Sequence, residues 1–201
     1  MRERIEKSII ELIQQKEEGS VFVANDFLSF GSLSSVNRAL SRINGKGLIK
    51  RLEHGLYAKL KFDPLLDEFT MPNINDVALA IARKNAWTIL PCGDNAKFQL
   101  GLIPYFNGIY EYASNGPYRT YLYENNSITF KRTSSKSISN LSFKTGLVIQ
   151  AIKAIGKSNI KEKDIRLISS KLSRQEKDMA LEESKRVQAW IYDLIKLINQ
   201  L

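Results

Sequence analysis

Apolar residues near the start of the chain recur three and four positions apart, the spacing of one helical face, before the period shortens to two. In residues 3–16, Ile5, Ile9, Leu12 and Ile13 share a face and predict a helix that ends before Gly19. Val21-Phe22-Val23 predicts a short extended piece leading into a short helix at 25–30, with a turn at Gly31. Val36, Leu40 and Ile43 stand at i, i+4 and i+7 and predict a second helix. Its expected start is near Ser34-Ser35, because a serine oxygen accepts from the amides left free at a helix start. Ile49-Lys50-Arg51-Leu52 and Leu56-Tyr57-Ala58-Lys59, separated by Glu53-His54-Gly55, read as a β-hairpin. Helix, strand, helix, helix and hairpin is the element order of a winged helix-turn-helix. Its expected core is Ile5, Ile9, Leu12, Phe22, Phe27, Leu28, Val36, Leu40, Ile43, Leu48 and Leu56.

Proline then interrupts the pattern. Asp63-Pro64 and the stretch 69–72 read as a linker, placing a winged-helix domain at 1–62 and a second domain at 63–201. Asn75 or Asp76 is expected to cap a helix running to Arg83 with Val77, Ala80 and Ile81 inward. A strand at 87–90, a turn at Pro91-Cys92-Gly93 and a short helix at 95–100 capped by Asp94 follow. From Ile109 the period is two, and 109–113, 118–123 and 127–132 predict a strand meander. The serine-rich stretch 133–142 reads as a loop. Helices are expected at 145–155 and 162–172, and a last long one from about Glu176 or Ala180 to Asn199 carries the stripe Ala180, Val187, Trp190, Ile191, Leu194 and Ile198. The expected class is α+β: an N-terminal winged helix-turn-helix, then an α+β domain with a small antiparallel sheet and helices.

Charge sharpens this picture. The chain carries a formal net charge of +9, and its 43% hydrophobic content is that of a globular protein. Residues 127–174 hold eleven Lys and Arg against two Asp and Glu, whereas 63–126 hold four against seven. Cys92 is the only cysteine, which excludes an intrachain disulfide and a thiolate metal cluster, and it reads as a small buried hydrophobe. The charged start Met1-Arg2-Glu3-Arg4 is unlike a signal peptide, and no apolar run reaches the length of a membrane span. A cytoplasmic protein without a membrane partner is expected.

The candidate chemistry lies on the second helix. At about 100° per residue, Ser34, Arg38, Ser41, Arg42 and Gly45 fall opposite the apolar face. Arginine can fork onto guanine O6 and N7 or onto phosphate, and serine can donate to either. Between Ser34 and Lys61 there are seven Lys or Arg, Lys46 among them, against the single acid Glu53. Arg38 and Arg42 are therefore expected to read or clamp double-stranded DNA, with Ser34, Ser35, Asn37, Ser41 and Lys46 beside them. Lys50, Arg51, His54 and Lys59 would hold the hairpin on the phosphate backbone. No P-loop, dinucleotide fingerprint, zinc-protease helix or nucleophile elbow occurs, and His54 is the only histidine. Asp63, Asp67 and Glu68 read as a solvated linker rather than a cation site. No enzyme, cofactor or metal is expected.

Aromatic residues crowd the proposed sheet. Tyr112, Tyr118, Arg119, Tyr121, Lys131 and Arg132 are candidates for a partner surface, with core packing as the plainer reading of the tyrosines. Two rival functions stay open: a protein-interaction module whose winged helix is structural, and an RNA-binding protein that stacks bases on the tyrosine-rich sheet.

Four segments give the chain a family likeness. They are Ser35-Val36-Asn37-Arg38-Ala39-Leu40-Ser41-Arg42-Ile43 with Lys46-Gly47-Leu48-Ile49 and Gly55-Leu56-Tyr57; Leu90-Pro91-Cys92-Gly93-Asp94-Asn95-Ala96 with Leu100-Gly101-Leu102; Tyr112-Ala113-Ser114-Asn115-Gly116-Pro117-Tyr118-Arg119; and Ala189-Trp190. In this order they resemble the AbiEi-type antitoxins and AbiEi-like winged-helix regulators of type IV toxin–antitoxin systems. The resemblance implies a winged helix that represses its own operon at repeated half-sites, and a C-terminal domain that opposes a nucleotidyltransferase-like toxin. Lys97, Phe98 and Gln99 depart from the family's alanine-rich helix.

Overall fold

In the computed structural model, which describes residues 2–201 without the side chains of Arg2 and Lys136, the first apolar face forms α1 (Arg2–Gln15). Met1 of the charged N-terminus lies outside the described residues. Strand β1 (Val21–Val23) leads into a 3-10 helix at Ala24–Phe30, and α2 spans Leu33–Gly45. The cap of α2 is Ser32, not Ser34 or Ser35. Its Oγ accepts from the Ser35 N–H at 3.4 Å, so the helix starts earlier than the apolar spacing suggested. Strands β2 (Lys50–Glu53) and β3 (Leu56–Ala58) make the expected hairpin, which β1 joins to give an antiparallel sheet in the order β1-β3-β2. Ile9, Ile13, Phe22, Phe27, Val36, Leu40, Ile43 and Tyr57 fill the core, with the Phe22 and Phe27 rings edge to face at 5.6 Å. Leu28 and Leu48, expected in that core, are exposed. Leu28 follows the inward Phe27 in the 3-10 turn, and Leu48 follows Gly47, whose φ of 72° turns the chain away from α2.

The presumed linker is structured. Strands β4 (Lys61–Asp63) and β5 (Glu68–Thr70) pair as a second antiparallel hairpin, with Phe62 opposite Phe69. Helix α3 (Ile74–Lys84) is capped by Asn73, whose Oδ1 accepts from the Asn75 N–H at 2.8 Å, rather than by Asn75 or Asp76. Arg83 on α3 donates to the Val21 carbonyl at 2.9 Å and pairs with Asp26, fastening the helix to β1. The chain divides into two compact units, the first ending at Trp87 and the second beginning at Thr88. The boundary thus lies well beyond residue 62, because the hairpin and α3 belong with the first unit.

The second unit opens with β6 (Ile89–Pro91) and α4 (Gly93–Gln99), followed by β7 (Ile109–Ser114), β8 (Arg119–Tyr123) and β9 (Asn126–Arg132). The strands were expected as an antiparallel meander; the sheet is mixed, in the order β6-β7-β9-β8, with β7 and β9 parallel. The connections explain this. Glu124 and Asn125 close a tight β8–β9 turn, Glu124 taking a φ of 53°. Residues 115–118 instead carry Pro117, which has no N–H to give a ladder, and the turn is tied to the residue just before β6 through Asn115 Oδ1, which accepts from the Thr88 N–H at 2.9 Å. Strand β8 is carried past β7 and leaves room for β9 between them.

Helices α5 (Phe143–Ile155), α6 (Glu162–Ser170), α7 (Arg174–Glu183) and α8 (Ala189–Gln200) complete the unit. The long final helix expected from the apolar stripe is two helices. Ser184 is buried and its hydroxyl donates to the Leu181 carbonyl at 3.4 Å, where the chain leaves α7 through a 3-10 turn at Ser184–Arg186. Helix α5 is buried from Thr145 to Ile152 and packs with Ile168, Ala180, Ile191, Ile195 and Ile198 of its helical neighbours. The architecture is α+β.

Helix α5 approaches β6 at Gly146. A methyl group there would stand 2.5 Å from Leu90 Cδ1 and 2.6 Å from Cδ2. Gly146→Ala is therefore expected to destabilise the protein by about 1–3 kcal/mol, the usual cost of overpacking. Urea denaturation measures it, and the added cost should shrink in a Leu90→Ala background.

Candidate nucleic-acid interface

Helix α2 turns its apolar residues inward and leaves Ser34, Asn37, Arg38 and Ser41 exposed, with Ser35 half-buried. Arg38 has no ion pair among the described residues, and with Ile5, Ser35 and Arg42 it lines a recess of about 70 Å³. One turn further on, the helix is engaged internally. Glu6 of α1 is buried and accepts from Arg42 Nε at 2.7 Å and from Lys46 Nζ at 2.5 Å. Lys46 and then Arg42 hold the Glu6 carboxyl below the ordinary carboxylate range, against the opposing effect of burial. The two cations are also half-exposed, so their charge still reaches solvent. The acid that balances this part of α2 lies 36 residues back in the sequence, which is why the local count of basic residues overstated the free charge.

The β2–β3 hairpin brings Lys50, Arg51 and His54 to the surface. Asn44 near the end of α2 accepts from the Arg51 backbone N–H at 2.8 Å and so sets where the hairpin leaves the helix. A bulge between Arg51 and Glu53 and Gly55 at φ 71° form the turn. Arg51 Nη2 lies 2.9 Å from His54 Nδ1, which holds the two side chains together at the turn. Lys84 of α3 donates to the His54 carbonyl, bringing to the turn a cation the sequence reading missed. Lys59, expected on phosphate, is used elsewhere. Its ammonium donates to the Gln14 and Lys16 carbonyls at 3.1 and 2.7 Å, closing the C-terminal end of α1.

The expected partner surface of the second unit is smaller than its residue list. Tyr112 is buried and stacks on Phe130 at 5.8 Å, and Tyr121 meets the same ring edge-on. Both are packing residues rather than a contact platform. Lys131 is paired with Glu111 at 2.6 Å, a contact that raises its pKa. Tyr118, Arg119 and Arg132 remain exposed. Cys92 is buried, and burial first, then Glu111, pushes its thiol up to about 11, so it stays protonated at neutral pH.

Among the described residues no group of three or more His, Cys, Asp and Glu is placed to hold a metal, and no helix is long and apolar enough to cross a membrane. The model of a family of unknown function, DUF6088, matches residues 8–181, and the chain belongs to that family. No curated protein matches it. Among solved structures it is similar to the crystal structure of the RV2827C protein from Mycobacterium tuberculosis, at 10% identity and a TM-score of 0.42, over 98% of this chain and 75% of that one.

Glu6 makes stability depend on acid. Its lowered pKa means that the contribution is present above the ordinary carboxylate value and is lost as pH falls through the folded-state value. Glu6→Gln is expected to cost about 1 kcal/mol at neutral pH, since both cations are partly solvated. Thermal melts of both proteins across the acid range should converge at low pH; a pH-independent gap would remove the charge from the explanation.

Proposed function

We propose that this DUF6088 protein is a cytoplasmic, sequence-specific DNA-binding regulator whose first unit is a winged helix-turn-helix. Helix α2 enters the major groove and the β2–β3 hairpin is the wing. The observation that carries this reading is one exposed, unpaired guanidinium, Arg38, among Ser34, Asn37 and Ser41, on a helix whose exit Asn44 ties to a hairpin bearing Lys50, Arg51 and His54. In this arrangement Arg38 reads a base edge and the hairpin cations meet phosphates. Glu6 fixes Arg42 and Lys46 on the α1 side of the helix, so they orient α2 and add positive field rather than base contacts. Lys59 is excluded from the contact set by its carbonyl partners.

The resemblance to AbiEi-like regulators extends the proposal to an autorepressing antitoxin that opposes a nucleotidyltransferase-like toxin, binding operators of repeated half-sites. Support for a second task comes from the second unit, which has its own core around α5 and leaves Tyr118, Arg119 and Arg132 free for a partner. An RNA platform on the sheet draws less support, because Tyr112 and Tyr121 pack on Phe130.

Arg38→Ala should lose about 1–3 kcal/mol of discrimination between operator and unrelated DNA, the value of a bidentate base contact. Its melting temperature should not change, and the full-length variant should still suppress the toxicity of a neighbouring toxin gene. Wild-type discrimination by Arg38→Ala in a competition binding assay would remove it from the reading role.

Lys50→Ala and Arg51→Ala are expected to weaken all DNA sequences alike and to reduce the slope of log affinity against log salt by about one each. Lys59→Ala should instead lower the melting temperature and leave that slope unchanged. Titrations at several salt concentrations separate the two classes.

A further inference from the structure

The β4–β5 hairpin takes no part in the proposed DNA contact, and it is an unusual object to leave in water. It is a two-stranded sheet with no third strand on either edge among the described residues. Sheets of two strands are marginal alone, and soluble proteins usually cover or blunt such edges. Its apolar side chains are unshielded. Phe62 and Phe69 meet edge to face at 5.3 Å on one face while remaining 40% and 62% exposed. At the turn Leu65 is 94% and Leu66 61% exposed. The turn itself is well defined, with Asp63 Oδ1 accepting from the Leu65 N–H at 2.9 Å and Asp67 at φ 52°.

We propose that a second copy of this chain covers this hairpin, β4 pairing antiparallel with β4 about a twofold axis at Phe62. The charge order of the strand selects this register. In a symmetric antiparallel pair centred on Phe62, each ring faces its own counterpart, and Lys61 of either copy stands opposite Asp63 of the other. The result is two ion pairs on one face and a row of four phenylalanine rings, two Phe62 and two Phe69, on the other. Neither Lys61 nor Asp63 has an ion pair among the described residues. The opposite edge offers no such match, because centring on Phe69 would set Glu68 against Thr70.

Continued outward, the same register brings Pro64 opposite Leu60 of the second copy and Leu65 opposite its Lys59. Pro64 has no N–H and ends the ladder there. Leu60 and Lys59, with Leu48 and Phe69, line an open groove of about 520 Å³. The most exposed leucine is thus delivered to a groove that already presents exposed apolar side chains. Edge pairing buries less surface than a stable complex of roughly 1,200 Å² or more, so the dimer forms only at high protein concentration. Two linked first units would then present two α2 helices to DNA, although the pairing itself does not depend on DNA reading.

Sedimentation velocity of the full-length protein over a concentration series tests this, with circular dichroism and melting to show that each variant is folded. The wild type should shift from monomer to dimer as concentration rises. K61D or D63K alone should keep the protein monomeric, because each sets like charges opposite one another, and the double reversal K61D/D63K should restore the dimer. In F62C the new thiols would face each other, so mild oxidation should give a disulfide-linked dimer that K61D suppresses; Cys92 is buried and does not compete. A wild type that stays monomeric throughout, a double reversal that fails to restore association, or crosslinking of F62C that K61D does not reduce would overturn the proposal.

Discussion

The buried carboxylate of Glu6 is the contact on which the first unit's surface depends. It joins α1 to the last two turns of α2 by two charged hydrogen bonds, from Arg42 and from Lys46. Removing a carboxylate from water is costly unless its oxygens are satisfied by charged donors, and here each oxygen has one. The apolar face of α2 sets its depth in the core, and this pair of contacts opposes rotation about its axis. The same contact divides the basic residues of the helix into two that are committed and one, Arg38, that is not. What a count of positive charges cannot do, the position of one acid does.

The first unit was the more legible part of the sequence, and the reason is locality. The period of Val36, Leu40 and Ile43 is a property of neighbouring residues, and so is the hairpin around His54-Gly55. What escaped reading depended on residues distant in the chain. Glu6 meets Arg42 across 36 residues and Lys59 meets Gln14 across 45, and neither partner carries a local mark of the other. The charged and aromatic surface of 61–70 looked like a linker because Pro64 and three acids dominate its composition, whereas three residue pairs suffice to make it a hairpin.

In the second unit, the alternation in 109–132 located all three strands but was silent on their order. Period two reports which face a residue takes, and a strand has the same alternation beside either neighbour. The order was decided by Pro117 and by the tie from Asn115 to Thr88. The break between α7 and α8 was hidden in a similar way. An apolar stripe persists across it because both helices pack on one core, and only Ser184, turned back onto Leu181, marks the interruption. For the partner surface, the sequence named tyrosines by type, and burial then separated Tyr112 from Tyr118.

The division between Trp87 and Thr88 has a spectroscopic consequence. The chain contains two tryptophans, and they fall one on each side: Trp87 closes the first unit, and Trp190 lies in α8 of the second. Each unit therefore carries a single tryptophan. With either indole replaced by phenylalanine, the remaining tryptophan emission, excited beyond the tyrosine absorption band, follows one unit alone, and the two can be watched melting together or apart without any attached dye.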